Sequence, residues 1–349
     1  MKRFCSLLLV ALLAVSCWQG RFDPLKVNLD RALKHPVSAR DVYAEAVAIP
    51  LRCPKGMEPG QETRLLDVAA DRFFLLDEGK NEIRIFDWNG AYVSAIGSAE
   101  TILDASAYQD EVLDVLTQKA IIDYSVTDGS LLTEYPFLDE DISLKCVARV
   151  DEDTIFMLGS KDGIAYNCDY IVGMVGIHPS PIPAVDYLIT RAHVPVAEIE
   201  DSRFYRSNGS VYSFYTRSGE ISRYTGDDFV CDPYHWDFGK RQPRFTNAQA
   251  TADRLYLAFE LEGECAVLIY NVKNKQYNAV RQEDYPLGII YDGCNYHLRP
   301  ASDGSFEIVR YSLLPATGKL PRPAFSDSCF ICPQGAACRP PGSDFDYKK

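Results

Sequence analysis

Five charged residues, Asp67, Asp104, Lys145, Arg203 and Arg244, each lie shortly before a recurring apolar run. If the fold brings those positions to one place, they form a mixed-sign set. Such a set favours mutual pairing or a polar ligand over a bare cation, which takes several oxygen donors. Solvated channel lining and turn residues are the structural alternative. The cysteines offer a second chemistry. Cys329, Cys332 and Cys338 have the spacing of three ligands of a zinc site, but no nearby His or Cys completes it. The βαβ context of a redox Cys-x-x-Cys is also missing, so a disulfide within that segment is the favoured reading. Among His35, His178, His193, His235 and His297 there is no close ligand pair. His235 sits between Tyr234 and Trp236 and reads as a packing residue; His297 lies on a recurring run. No nucleophile elbow, phosphate loop or dinucleotide fingerprint occurs. No cofactor is therefore expected, with Ca²⁺ or Zn²⁺ at a site assembled from dispersed residues left open.

Positioning such dispersed residues requires a repetitive frame, and the chain carries one. A short apolar run follows a turn residue at Asp71, Asp110, Asp153, Gly209, Asp253 and Gly293, with spacings of 39, 43, 56, 44 and 40 residues. A second signal, an aliphatic residue with an aromatic three positions on, recurs at Ile83/Phe86, Ile121/Tyr124, Ile221/Tyr224, Val267/Tyr270 and Ile308/Tyr311. The third copy lacks it, and its long spacing implies an insertion near residues 178–183. Runs rich in Ile, Val, Tyr and Phe between turn residues read as antiparallel strands. Asn89-Gly90 and Asp128-Gly129 are hairpin signals, because a type I′ turn needs positive φ at both central residues. A unit of about forty residues holds about four strands, the size of one propeller blade. The expectation is an all-β, six-bladed β-propeller of four-stranded antiparallel blades. Residues 42–51 have no partner in the first unit, so they are expected to complete the last blade and close the ring. Two stacked sandwiches are the competing architecture. In the propeller, the five charged residues fall on or near the innermost strands, at one mouth of the central channel.

Residues 71–97, DRFFLLDEGKNEIRIFDWNGAYVSAIG, resemble the opening blade of the six-bladed β-propeller lipoproteins of Bacteroidales. The segment Pro233-Tyr234-His235-Trp236-Asp237-Phe238-Gly239-Lys240 is similar to a further stretch of that family. The resemblance spans about residues 40–312. It implies fold and address more than chemistry, since the family has no established general activity. One departure is visible: Ser98-Ala99-Glu100-Thr101 stands where the family usually has a loop containing Gly-Pro, which implies a different binding surface if that loop supports one.

The address is read from the N-terminus. Lys2 and Arg3 precede an apolar run over residues 7–15 that is too short to span a bilayer. Leu13-Ala14-Val15-Ser16-Cys17 resembles a bacterial lipobox, which implies cleavage before Cys17 and acylation of that cysteine; ordinary signal-peptidase cleavage is the alternative. Trp18, Gln19, Gly20 and Arg21 follow, without the acidic cluster associated with surface export in Bacteroidetes. The periplasmic side of the outer membrane is therefore expected, with surface exposure the other possibility. The domains expected are a signal peptide (1–16), a lipidated tether (17–40), the propeller (41–314) and a Pro- and Cys-containing tail (315–349).

Composition bounds the function. Lys and Arg number 36 against 49 Asp and Glu, a net charge of −13, which becomes −15 once Lys2 and Arg3 are removed. An acidic chain lacks the basic footprint that nucleic-acid binding needs, so lipid on Cys17 is the expected membrane contact. Removal of Cys5 and acylation of Cys17 leave nine of the eleven cysteines, an odd number, so at least one thiol has no intramolecular partner. The sequence favours a non-enzymatic binding or interaction scaffold, with an envelope protein or a polysaccharide or peptide ligand as partner. A metal-assisted hydrolase or lyase acting on a saccharide or peptide at the channel mouth is the alternative.

Overall fold

In the computed structural model, each of the six recurring runs forms the second strand of a four-stranded antiparallel sheet. The structure describes residues 24–314 except 70, 138–142, 151, 153, 162–163, 172–189, 192–202, 208–209, 215–218, 226–229 and 284. The first sheet comprises Thr63–Ala69, Arg72–Asp77, Glu82–Asp87 and Tyr92–Gly97. Asp104–Tyr108, Val112–Leu116, Ala120–Ser125 and Leu131–Pro136 form the second. The third contains Ser143–Arg149, Thr154–Lys161, Ile164–Ile171 and Thr190–Arg191. Arg203–Ser207, Ser210–Phe214, Ile221–Thr225 and Val230–Tyr234 make the fourth. The fifth is Arg244–Ala250, Arg254–Leu261, Glu264–Asn271 and Tyr277–Arg281. In the sixth, Ile289–Tyr291, Cys294–Pro300 and Phe306–Leu313 are joined by Tyr43–Pro50 from the N-terminal side. The insertion expected near residues 178–183, and the tail 315–349, lie outside the described residues.

The opening strands of successive sheets lie against one another, first to second, second to third and third to fourth. The fourth sheet meets the fifth through Ser210–Phe214, the fifth meets the sixth, and the sixth returns to the first. Each second strand is therefore covered on both faces. Phe73, Phe74 and Leu75 are all fully buried, which explains why these runs are continuously apolar rather than alternating. Each such side chain contributes about 1.5–3 kcal/mol on leaving water.

Closure is made by Tyr43–Pro50, which pairs antiparallel with Phe306–Leu313, as expected from residues 42–51. The chain then hooks onto the first sheet. Arg52 N–H donates to Gly90 O at 2.7 Å, and Tyr92 N–H donates to Arg52 O at 3.1 Å.

Residues 24–40, expected to be part of a tether, instead pack on the ring. Leu25–Lys26 pairs in parallel with Trp236–Asp237. A six-residue helix, Leu29–Lys34, starts at Asn28, whose side chain accepts from Arg31 N–H. Its apolar face buries Leu29 and Ala32, and Leu29 joins the core shared by the fourth and fifth sheets. Ala39 and Val42 then pack between the fifth and sixth. This packing was hidden in the sequence because the segment is short and its strand is only two residues long.

Candidate functional site

The opening strands line a central cavity of about 550 Å³, within the usual range of small-molecule sites. Its wall comes from the first, second, fifth and sixth sheets, with Phe214 from the fourth. Asp67, Asp104 and Arg244 all line it. Lys145 occupies the opening strand of the third sheet, half-buried and away from the cavity wall. Arg203 opens the corresponding strand of the fourth sheet, and its side chain lies outside the described residues.

Asp67 and Asp104 serve the frame. One Asp67 carboxylate oxygen accepts from Val68 N–H at 2.8 Å, and the other accepts from Ala107 N–H of the second sheet at 2.7 Å. Asp104 accepts from Val147 N–H of the third sheet at 3.2 Å and stands 3.8 Å from Arg64. The fifth sheet repeats the arrangement with neutral side chains. Gln249 Oε1 accepts from Ile290 N–H at 3.0 Å, and Asn247 donates to Leu287 O and Gly288 O at 3.0 and 3.2 Å. These pairs are 40 to 43 residues apart, one repeat, so a polar side chain on one opening strand reaches the backbone of the next. Leaving such a buried backbone group unpaired costs about 1–3 kcal/mol.

The cations differ in commitment. Arg64 donates to Glu78 at 2.9 Å and to Leu103 O at 3.2 Å. Arg244 stands at the rim, its side chain 78% exposed and 3.7 Å from Glu260. Irregular pairing in the first, third and fifth opening strands leaves Leu66, Lys145 and Thr246 outside the ladder. Bulges of this kind re-aim side chains, and Leu66 and Thr246 face the cavity.

Beyond the charged set, the wall carries Ser106, Thr246, Gln249, Gln282 and His297. Burial and the nearby charge of Arg299 push the His297 imidazolium below its ordinary pKa, which favours the neutral ring at neutral pH. The sequence singled out His297 but passed over the four neutral residues, because hydroxyl and amide side chains carry no spacing signal. Of the remaining histidines, His35 is exposed at the end of the N-terminal helix. His235 is 44% exposed and lies 3.1 Å from Glu220, so it is a surface partner of that carboxylate. His178 and His193 lie outside the described residues.

Among the described residues, no group of three or more His, Cys, Asp or Glu side chains is placed to hold a metal ion. Cys53, Cys265 and Cys294 carry free thiols. Burial raises the Cys53 thiol above its ordinary value, with Arg84 opposing the rise. The cluster Cys329, Cys332 and Cys338 lies outside the described residues.

A larger charged cluster sits away from the cavity. Arg149, from the third sheet, donates through Nε to Asp114 at 3.1 Å and through a terminal nitrogen to both Asp114 and Asp123 of the second sheet, at 2.5 and 2.9 Å. All three side chains are buried. Arg149 also lies over the Tyr108 ring, 5.8 Å from its centre. The cluster joins two neighbouring sheets and reads as part of the frame.

No protein-family model matches the chain, and no curated protein matches it. Solved structures do. A predicted exported protein of Bacteroides fragilis superposes with a TM-score of 0.60 at 11% identity, covering 84% of this chain and 99% of that one. A member of the DUF4221 family from Bacteroides vulgatus aligns at 10% identity and TM-score 0.47, covering 78% and 97% of the two chains. Virginiamycin B lyase from Staphylococcus aureus aligns at 8% identity and TM-score 0.44, covering 77% and 99%. The likeness to the Bacteroides fragilis protein, at 11% identity, speaks to fold alone, and four-stranded sheets in cyclic contact make that fold a β-propeller.

Proposed function

We propose that this chain is an exported envelope lipoprotein, anchored through lipid on Cys17, whose six-bladed propeller is a non-enzymatic binding scaffold. Each four-stranded sheet is read as one blade, and the central cavity as the binding site. The observation that carries the binding reading is the state of the cavity wall. Its carboxylates are tied to backbone N–H groups of the next sheet, and Arg64 is tied to Glu78. What remains turned to the cavity is suited to holding a polar ligand. The anchor reading rests on the residues around Cys17; no helix among the described residues is long and apolar enough to cross a membrane. The net charge of −13 argues against nucleic acid and leaves an envelope protein or a polysaccharide or peptide ligand as partner.

Two measurements test this reading. The intact protein is expected in the membrane fraction, with an acylated N-terminal Cys17 peptide by mass spectrometry, and Cys17→Ala in the soluble fraction. Persistent membrane association of Cys17→Ala would overturn the anchor. A cavity ligand is expected to be recovered chemically unchanged after saturating the protein, whereas its conversion to product would overturn the non-enzymatic role.

A further inference from the structure

The polar groups of the cavity wall differ in commitment. Apart from Arg244 at the rim, the charged ones are committed: Asp67 holds Ala107 N–H, Asp104 holds Val147 N–H, and Arg64 holds Glu78 and Leu103 O. Among the neutral ones, Asn247 and Thr63 are tied to backbone carbonyls, and a second group is not. Ser106, Thr246, Gln282 and His297 make no side-chain hydrogen bond to another described residue. Gln249 uses its carbonyl oxygen on Ile290 N–H, and its amide NH₂ has no partner among the described residues. Ser106 is only 4% exposed, so its hydroxyl has little access to bulk water and gains from a partner that enters the cavity.

We infer that this cavity takes a neutral saccharide, whose hydroxyl groups pair with Ser106, Thr246, Gln249, Gln282 and His297. The inference rests on reading the cavity as the binding site, and adds the class of ligand. A sugar hydroxyl both donates and accepts, which matches a wall of hydroxyls, amides and an imidazole that each offer one or both roles. Burial favours the neutral imidazole of His297, with one donor and one acceptor nitrogen. Half-buried Leu66, Ile289 and Leu298 supply apolar wall for the C–H faces of a sugar ring. An ionic ligand finds less: Arg244 is at the solvated rim, where a charge pair contributes little. The volume of about 550 Å³ suits a small sugar rather than a long chain held throughout its length.

The test is calorimetric titration of the full mature chain with glucose, N-acetylglucosamine, maltose and diacetylchitobiose, alongside glucuronate and trialanine. At least one neutral sugar is expected to saturate the protein. Thr246→Ala and His297→Ala are each expected to weaken it about ten-fold, the loss of roughly one hydrogen bond, with the melting temperature unchanged. Thr246 is exposed, so its truncation leaves the core intact. Preferential binding of glucuronate or trialanine, weakened by Thr246→Ala, would overturn the ligand class while keeping the cavity as a binding site. No binding of any probe at millimolar concentration, or binding indifferent to both variants, would overturn both.

Discussion

Arg149 illustrates how this ring treats charge: one guanidinium serves two buried carboxylates, Asp114 and Asp123, so ionising both would leave a net negative charge out of water. Complete burial pushes Asp114 up to about 7, against the pull of Arg149 and with further upward pressure from Asp123. Its folded pKa thus lies above the unfolded value of about 3.9. The folded state binds the extra proton, so the contribution to stability is full below about pH 4 and is lost as pH rises through about 7. Urea unfolding of the wild type and Asp114→Asn between pH 4 and 8 should show the wild-type advantage shrinking as pH rises; a constant difference would refute the assignment. Replacing Arg149 by Met leaves both carboxylates buried without a cation, and is expected to cost about 3–5 kcal/mol in the same assay. The candidate site shows the same economy. Asp67 and Asp104 were legible as inner-strand residues because the repeat spacing placed them there, yet their carboxylates bind the neighbouring sheet's backbone. Which face a side chain takes on a bulged strand depends on the bulge, and that is invisible to spacing alone.

Hairpins and closing strands decide whether the sheets become a ring. Gly90 occupies the positive-φ position of the Asn89-Gly90 turn, at φ 77°, and a Cβ there would stand 2.2 Å from Pro50 O at the end of the closing strand. The turn therefore serves its own hairpin and also accommodates the chain that links the sixth sheet to the first. Gly90→Ala is expected to lose about 1–2 kcal/mol from the left-handed backbone alone, and more from the contact with Pro50. Equivalent substitution of Gly263, also at positive φ but with open space around its Cβ position, should cost only the backbone part. Equal losses by denaturant melting would show that the contact with the closing strand carries no weight. At this scale most of the fold was legible. The apolar runs became second strands and the aliphatic–aromatic signals became third strands, because burial on both faces leaves a dense apolar signature. Outermost strands were harder to see: Leu131–Pro136 is almost wholly exposed and lacks a clear apolar face.

At the scale of the molecule, the N-terminal segment links the proposed anchor to the ring. If Cys17 carries lipid, residues 18–23 separate it from Pro24, where the described packing begins. Six residues span at most about 20 Å, so the ring is held close to the bilayer rather than on a long leash. That proximity depends on residues 24–41 staying docked. Val27 and Leu29 are 4% and 1% exposed, Asn28 N–H donates to the Tyr277 hydroxyl at 3.0 Å, and Asp30 meets Arg241 at 2.6 Å. The exposed ion pair adds little; the apolar contacts carry the docking, at roughly 3–5 kcal/mol after allowance for burial already present in the unfolded chain. Two soluble truncations separate docking from tethering. A chain beginning at Pro24 is expected to melt with the full mature chain. One beginning at Tyr43 keeps the closing strand but strips the cover from the fourth, fifth and sixth sheets, and should melt roughly 10 °C lower. Equal melting of the two truncations would make residues 24–42 a dispensable leash. The ring could then stand well away from the membrane, and the short-reach geometry would be lost even with Cys17 acylated.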